Sequence, residues 1–296
     1  MANDQQRPIY RFAPTPNGRL HLGHAYSALM NARGAERFGG RLLLRMEDLD
    51  RSRCKPEYEQ AAIVDLAWLG LSFDRAIRRQ SEHVADYAAA YRGLGALGLL
   101  YPCFCTKEEI AKASRAAGLG RDPDGAPLYA GACRGRGSPK GDGPAPTLRL
   151  DMARALALAG SELSWREFGE GDSERQESAD PAAWGDVALK RRGAPATYHL
   201  AVVVDDALQG VTDVVRGRDL FAATGLHRLL QALLNLPAPR YRHHRLVLDA
   251  AGEKMSKSAS STPLCRLREE GVLAGQIRAA LGFGPAQGRR FEARIS

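Results

Sequence analysis

Arg11-Phe12-Ala13-Pro14-Thr15-Pro16-Asn17-Gly18-Arg19-Leu20-His21-Leu22-Gly23-His24 is the stretch that decides the fold. Ile9 to Ala13 mixes apolar and polar residues in the manner of a strand. Two prolines and a glycine then force a turn, and helix formers run from Leu22 to about Phe38. A strand, a tight loop and a helix opening on small residues make a geometry that binds phosphate. The unpaired N–H groups and the dipole at the helix start both face the loop and both favour an anion. His21 and His24 lie three residues apart around Gly23, so both imidazoles can reach the loop mouth. The missing side chain of Gly23 lets a flat base approach.

Outward from this turn the chain alternates strands and helices. Arg41 to Asp48 reads as a second strand whose acidic end emerges where sites on open α/β sheets form. Pro56 opens a helix that runs to about Leu69 and stops at Gly70. A further helix, about His83 to Leu97, carries Tyr87, Tyr91 and Leu94 on one face as core. From about Leu100 to Pro181 the character changes. This segment holds Cys103, Cys105 and a Gly/Pro/Arg-rich run from Gly118 to Pro146, and it predicts an insertion with its own small fold. Regular α/β signals resume at Asp186 to Lys190 and Tyr198 to Asp206. Thr212 to Gly217 reads as another strand, about Leu220 to Asn235 as an amphipathic helix, and His244 to Leu248 as a last short strand. The pattern predicts an α/β fold with a Rossmann-like parallel sheet. The expected domains are a nucleotide-binding domain in two halves, 1–100 and 183–250, and an inserted small zinc-bearing α+β subdomain at 101–182. Residues 251–296 form a loop and a short C-terminal extension.

At 296 residues the chain can bury a substantial core. The formal net charge of +8 suits an anionic partner such as ATP or nucleic acid, although the Arg-, Ala- and Gly-rich composition also fits a genomic base bias. No apolar run approaches a membrane span, and Met1-Ala2-Asn3-Asp4 lacks the basic-then-apolar order of a signal peptide. A cytoplasmic protein is expected. Five cysteines, three of them clustered, point to a reducing compartment and a metal site over disulfides. Cys103-Phe104-Cys105 is followed, across a Gly/Pro-rich loop, by Tyr129-Ala130-Gly131-Ala132-Cys133. Structural zinc takes four ligands and three thiolates are present. No histidine occurs between His83 and His199, so the fourth ligand is an oxygen or a distant group. Asp122, Asp124 and water are candidates on chemistry alone. Cys54 and Cys265 fit no ligand spacing.

Further motifs carry a resemblance. His21-Leu22-Gly23-His24 resembles the first signature of class I aminoacyl-tRNA synthetases. Lys254-Met255-Ser256-Lys257-Ser258, about 230 residues later, matches the second letter for letter. Arg11 to Pro16, Arg45 to Asp50 and Val215 to Asp219 resemble the glutamyl/glutaminyl branch, so the likeness runs from residue 10 to about 260. That branch continues into a large anticodon-binding region, and about 35 residues follow Thr262 here, so no such domain is expected. The chain is similar to truncated members with a short cysteine-bearing insertion.

The resemblance implies activation of L-glutamate by ATP with Mg2+, without tRNA. Glutamate then passes to the queuosine base in the anticodon arm of tRNA-Asp, and the protein is expected to be a monomer. The alternative is a minimal or split glutamyl-tRNA synthetase charging the tRNA 3′ end. The family's catalytic and ATP-binding positions fall on His21, Gly23, His24, Lys254 and Lys257. Its glutamate positions fall on Arg11, Ala13, Thr15, Glu47, Tyr198 and Arg216. An arginine fork suits a carboxylate, and Glu47 suits the α-ammonium. Asp48 and Asp50 read as caps or ion-pair members, and Asp205-Asp206 lie near the expected site. The family's zinc pattern makes Tyr129 the fourth ligand beside Cys103, Cys105 and Cys133.

Overall fold

The computed structural model describes residues 7–136, 145–160, 162–169, 173–248, 262–284 and 294–295. In chain order the first elements are β1 (Ile9–Phe12), α1 (Leu22–Arg37), β2 (Arg41–Met46), α2 (Pro56–Trp68), β3 (Arg78–Arg79) and α3 (Val84–Ala96). There follow β4 (Leu100–Cys103), α4 (Lys107–Ala116), β5 (Thr147–Leu150), α5 (Met152–Ala159), β6 (Ser164–Phe168), β7 (Glu174–Ser178) and β8 (Ala188–Lys190). The rest are α6 (Tyr198–Leu208), β9 (Asp213–Gly217), α7 (Ala223–Leu233), β10 (Arg240–His244), β11 (Val247–Leu248), α8 (Leu264–Glu269), α9 (Ala274–Ala280) and β12 (Arg294–Ile295). These divide into two compact units. The first comprises 1–82, 210–220 and 239–296, and the second 83–209 and 221–238.

The first unit is built on five parallel strands in the order β3-β2-β1-β9-β10. The strand order reverses between β1 and β9, and on open α/β sheets ligands bind outside the carboxyl ends of the strands at such a point. The inner strands are buried along their length, as a sheet covered on both faces requires. Helix α1 lies close over β1, and Gly34 makes that possible. A Cβ there would sit 2.6 Å from the ring of the fully buried Tyr10. Asn31, also fully buried, donates to Val215 O at 3.0 Å and ties α1 to β9. Pro56 occupies the first turn of α2, where its missing N–H costs nothing. Arg268 Nη1 reaches the buried Asp65 at 2.9 Å and joins α8 to α2.

The second unit holds an antiparallel sheet β4-β5-β8, the antiparallel pair β6–β7, and the helices α3 to α7. Tyr87 and Leu94 of α3 are fully buried, whereas Tyr91 is partly exposed with Lys190 Nζ 5.2 Å from its ring centroid. Asp186 is a hub. It accepts from Tyr101 Oη (2.5 Å), Arg134 Nε (2.9 Å) and Met152 N (3.0 Å), while its own carbonyl accepts from Arg149 Nη1 (2.8 Å).

Tyr198 to Asp206 is a helix with Thr197 at its N-cap position, and its residues from His199 to Asp206 are all buried. One element differs from expectation. The last strand before the lysine loop is not one run from His244 to Leu248. Arg240–His244 pairs in parallel with β9, and Val247–Leu248 pairs separately and antiparallel with Arg294–Ile295. Parallel pairing with β9 favours the polar segment because the backbone ladder, not apolar side chains, holds it there.

Candidate active site and cysteine cluster

At the carboxyl end of β1 the chain turns through Pro14 and Pro16. Glu47 N donates to Pro14 O and Lys55 N to Pro16 O, both at 3.1 Å, which pins this loop to the segment after β2. The loop delivers His21 to the N-cap of α1 in an extended conformation. Gly23 N donates to His21 Nδ1 at 3.1 Å, and His21 N donates to His24 Nδ1 at 3.2 Å. Two imidazoles thus do reciprocally what a hydroxyl and a carboxylate do in a capping box. Their rings lie 3.9 Å apart, tilted by 51°. Because each Nδ1 accepts an N–H, each neutral ring carries its proton on Nε2. The turn therefore presents two donor nitrogens at a helix start that already favours anions. Gly23 has a local reason as well: a Cβ there would lie 3.0 Å from His21 Cε1. Its absence lets the ring fold back onto its own helix.

Strand alternation and register put Arg11, Arg45 and Arg216 on one face, together with Tyr241 and His243. All three arginines are buried, Arg45 completely. Arg11 Nη1 reaches Val215 O at 3.5 Å. Contacts with neighbouring described residues aim Arg216. Its Nε donates to His243 Nε2 (3.2 Å), its Nη2 to Leu220 O (3.3 Å), and its guanidinium lies 5.2 Å from the Tyr241 ring centroid. Glu47, just past β2, is nearly buried, with Arg45 Nη2 at 3.4 Å. Three guanidiniums against one carboxylate bias this face toward an anionic ligand. Ala13 and Thr15 belong to the adjoining loop and are half-buried. His243, Tyr241 and Arg45 were not singled out by sequence reasoning. Alternation along β10 would have found the first two, since both share a face with the residues paired to Val214 and Arg216.

Asp48 and Asp50 are caps. Asp48 accepts from Ser81 N and Ser81 Oγ (2.8 and 2.6 Å). Asp50 accepts from Ser52 Oγ at 2.6 Å, a bond that holds its carboxyl below the usual range. In the second unit Tyr198 opens α6, and Asp205, fully buried, accepts from Tyr87 Oη at 3.0 Å. Lys254 and Lys257 lie outside the described residues.

The second unit brings the three sequence-predicted thiols together. Cys103 ends β4, Cys105 follows it, and Cys133 comes from a turn after Tyr129. Their sulfurs all lie within 4.8 Å of one another. Cys105 Sγ is 3.5 Å from Cys133 Sγ and 3.6 Å from Tyr129 Oη, and Tyr129 Oη also accepts from Cys133 N at 2.8 Å. Burial pushes the Cys105 thiol up to about 11. Burial acts the same way on Cys133, but hydrogen bonds from Tyr129, Phe104 N, Cys105 and Cys103 outweigh it and hold that thiol at about 7. Arg149 stacks over the Tyr129 ring, 4.0 Å from its centroid, while burial and hydrogen bonds with Cys103, Cys133 and Cys105 push the Tyr129 hydroxyl well above its ordinary value. Three sulfurs and a phenol oxygen within contact distance fit a four-coordinate zinc. The competing oxygens are engaged elsewhere: Asp122 Oδ1 accepts from Ala126 N at 2.8 Å, and Asp124 faces His199.

A family model described as the catalytic domain of class I tRNA synthetases (E and Q) matches residues 9–291. The chain belongs to this family. It is accordingly a ligase of the class I aminoacyl-tRNA synthetase type. It is 42% identical to the glutamyl-Q tRNA(Asp) synthetase of Rhodobacter capsulatus, over 93% of this chain and 100% of that protein. To the protein of the same name from Leptothrix cholodnii it is 41% identical, over 94% of this chain and 91% of the other. Among solved structures, glutamate-tRNA synthetase from Elizabethkingia anophelis superposes with a TM-score of 0.73 at 24% identity. That match covers 93% of this chain but 61% of the solved one, and it establishes the fold. No helix among the described residues is long and apolar enough to cross a membrane.

Proposed function

We propose that the chain activates L-glutamate with ATP, without tRNA, and transfers the glutamyl group to the queuosine base in the anticodon loop of tRNA-Asp. In the first step a glutamate α-carboxylate oxygen attacks the α-phosphorus of ATP. A carboxyl–phosphate bond forms, the bond to the β-phosphate oxygen breaks, and pyrophosphate leaves. The protein supplies no nucleophile, so its task is positioning and charge stabilisation. Mg2+ bound with ATP neutralises phosphate charge. His21 and His24 donate their Nε2–H groups to phosphate oxygens, with Gly23 leaving room beside them for the adenosine. Lys254 and Lys257 clamp the triphosphate as charge moves to the leaving group. Arg11 and Arg216 hold carboxylates, Glu47 takes the α-ammonium, and Ala13 and Thr15 line the same pocket; by the family's pattern Tyr198 is also a glutamate contact. Cys103, Cys105, Tyr129 and Cys133 hold one structural zinc apart from this chemistry. In the second step a queuosine hydroxyl attacks the adenylate carbonyl, an ester forms and AMP leaves. The net charge of +8 serves to hold tRNA phosphates.

The reciprocal histidine cap, on the unit that also carries Arg11 and Arg216, supports adenylation. Identity to the Rhodobacter capsulatus relative along its whole length supports the queuosine acceptor. Two substrates test the transfer: tRNA-Asp trimmed of its 3′ adenosine, and tRNA-Asp lacking queuosine. With labelled glutamate and ATP, the first is expected to be glutamylated and the second not. The reverse would make the protein an ordinary synthetase charging the 3′ end. Pyrophosphate exchange with glutamate and ATP alone checks the first step, and a strict requirement for tRNA would overturn it.

A further inference from the structure

The second unit contains a row of titratable side chains that neither the adenylation chemistry nor the cysteine cluster uses. His199 and His227 are both buried, and His199 Nδ1 lies 3.2 Å from His227 Nε2. On its other side His199 Nε2 lies 3.6 Å from Asp124 Oδ2. The His199 imidazole facing it holds the Asp124 carboxyl below the usual range. Asp124 projects from a turn stiffened by an Arg121–Pro127 bridge and by Asp122 N donating to Ala126 O at 2.8 Å. Trp184 packs edge-on against His199 with centroids 4.6 Å apart.

A neutral imidazole has one N–H, so such a row has an order. With the Asp124 carboxylate accepting, His199 carries its proton on Nε2. Its Nδ1 is then an acceptor, and His227 must donate from Nε2. Asp124 thus dictates the tautomers of both rings. Those rings are the wall of Tyr198, which meets His199 edge-to-face at 5.4 Å and His227 at 5.7 Å. We propose that Asp124, His199 and His227 are positioning residues that fix the Tyr198 ring, so that a turn of the cysteine-bearing region sets the affinity for glutamate. This rests on the reading of Tyr198 as a glutamate contact.

Pyrophosphate exchange tests both, with KM for glutamate, KM for ATP and kcat measured on each variant. Asp124 is more than half exposed, so its replacement threatens the fold little. Asp124→Ala is expected to raise KM for glutamate about threefold to fivefold, the range of a partly exposed pair, with kcat and KM for ATP unchanged. Asp124→Asn keeps an oxygen that accepts from Nε2–H and is expected to recover most of the loss. In a Tyr198→Phe background, Asp124→Ala is expected to add little, because the hydroxyl it positions is gone. An unchanged KM in Asp124→Ala, or full additivity with Tyr198→Phe, overturns the relay. If Tyr198→Phe alone leaves KM unchanged, the assignment of Tyr198 falls, and the relay's route to glutamate falls with it.

Discussion

The His21–His24 turn and the Cys103–Cys105–Tyr129–Cys133 cluster each gather a few donors, but they are held by different means. The histidines lie within four residues, and each is fixed by a backbone N–H of its own helix start. That geometry exists before any ligand arrives. The cluster draws on the end of β4 and a turn about thirty residues later, and its backbone bonds include Cys133 N to Tyr129 Oη and Phe104 N to the Cys133 sulfur. Sulfurs in contact repel once ionised, so the proposed zinc would stabilise this arrangement by neutralising them. A site preorganised by backbone should survive loss of its ligand. One assembled from distant side chains should not.

The largest expected effect probes the first half of that contrast. His24→Ala removes both the cap acceptor and the Nε2 donor, and should lower kcat for pyrophosphate exchange by about 10²- to 10³-fold, as loss of a donor to developing charge does. It should also cost about 1 kcal/mol of capping, read as a lower Tm. His24→Asn separates the two roles, because its amide oxygen can replace Nδ1 as acceptor while nothing replaces Nε2–H. The Asn variant is expected to keep wild-type Tm and the low kcat. Wild-type turnover in His24→Asn would remove the histidine from the chemistry and leave it a cap.

Next in size is the cysteine cluster. Cys133→Ser is expected to lose the metal, read by elemental analysis, and to destabilise the second unit by about 2.7 kcal/mol if metal is present at a hundred times its Kd. The kcat of exchange should change little while the protein stays folded, since His21 and His24 belong to the other unit. Zinc-free protein with undiminished Tm would refute a structural metal. Chelation that abolished exchange in folded protein, with Mg2+ in excess, would instead place a metal in the reaction.

The same contrast explains what was legible in the sequence. Strand β1, the proline turn and α1 follow from contiguous signals, and their bounds came out within a residue or two. The cysteine spacing announced a cluster, and the three-dimensional arrangement brings the three thiols together with the Tyr129 hydroxyl beside them. Pattern reading left the type of helix α6 open because it is buried from His199 to Asp206 and shows no polar stripe, while three successive valines suit a strand equally well. Strand β10 was misplaced for the opposite reason. Arg240-Tyr241-Arg242-His243-His244 has little apolar character, since its alternate residues face the candidate site and one of them aims Arg216. Strand β7 is polar throughout and invisible by composition. The long-range pairing of Arg216 with His243 carries no local signal.

The smallest effect concerns a third histidine that follows neither pattern. His244, at the end of β10, is buried, and its Nδ1 donates to Arg245 O at 2.8 Å. Its ring stands edge-on to Tyr26 of α1 with centroids 5.0 Å apart. Nε2 is buried with no hydrogen-bond partner among the described residues, so a proton added there would go unsolvated. Burial accordingly holds the imidazole below its ordinary value of 6.5, and the bond to Arg245 O offsets this only in part. The sign follows from counting protons. Above pH 6.5 the ring is neutral in both folded and unfolded chains and contributes no pH dependence. As pH falls through 6.5 the unfolded chain takes up a proton that the folded chain refuses. Stability is then lost until the folded value is reached, by at most about 1.4 kcal/mol per pH unit. His244→Asn keeps an N–H for Arg245 O and cannot titrate, so its Tm should fall less than the wild-type Tm between pH 7.5 and pH 5.5. Parallel Tm curves for the two proteins would mean that His244 protonates as easily folded as unfolded, and that the Tyr26 wall is open to water.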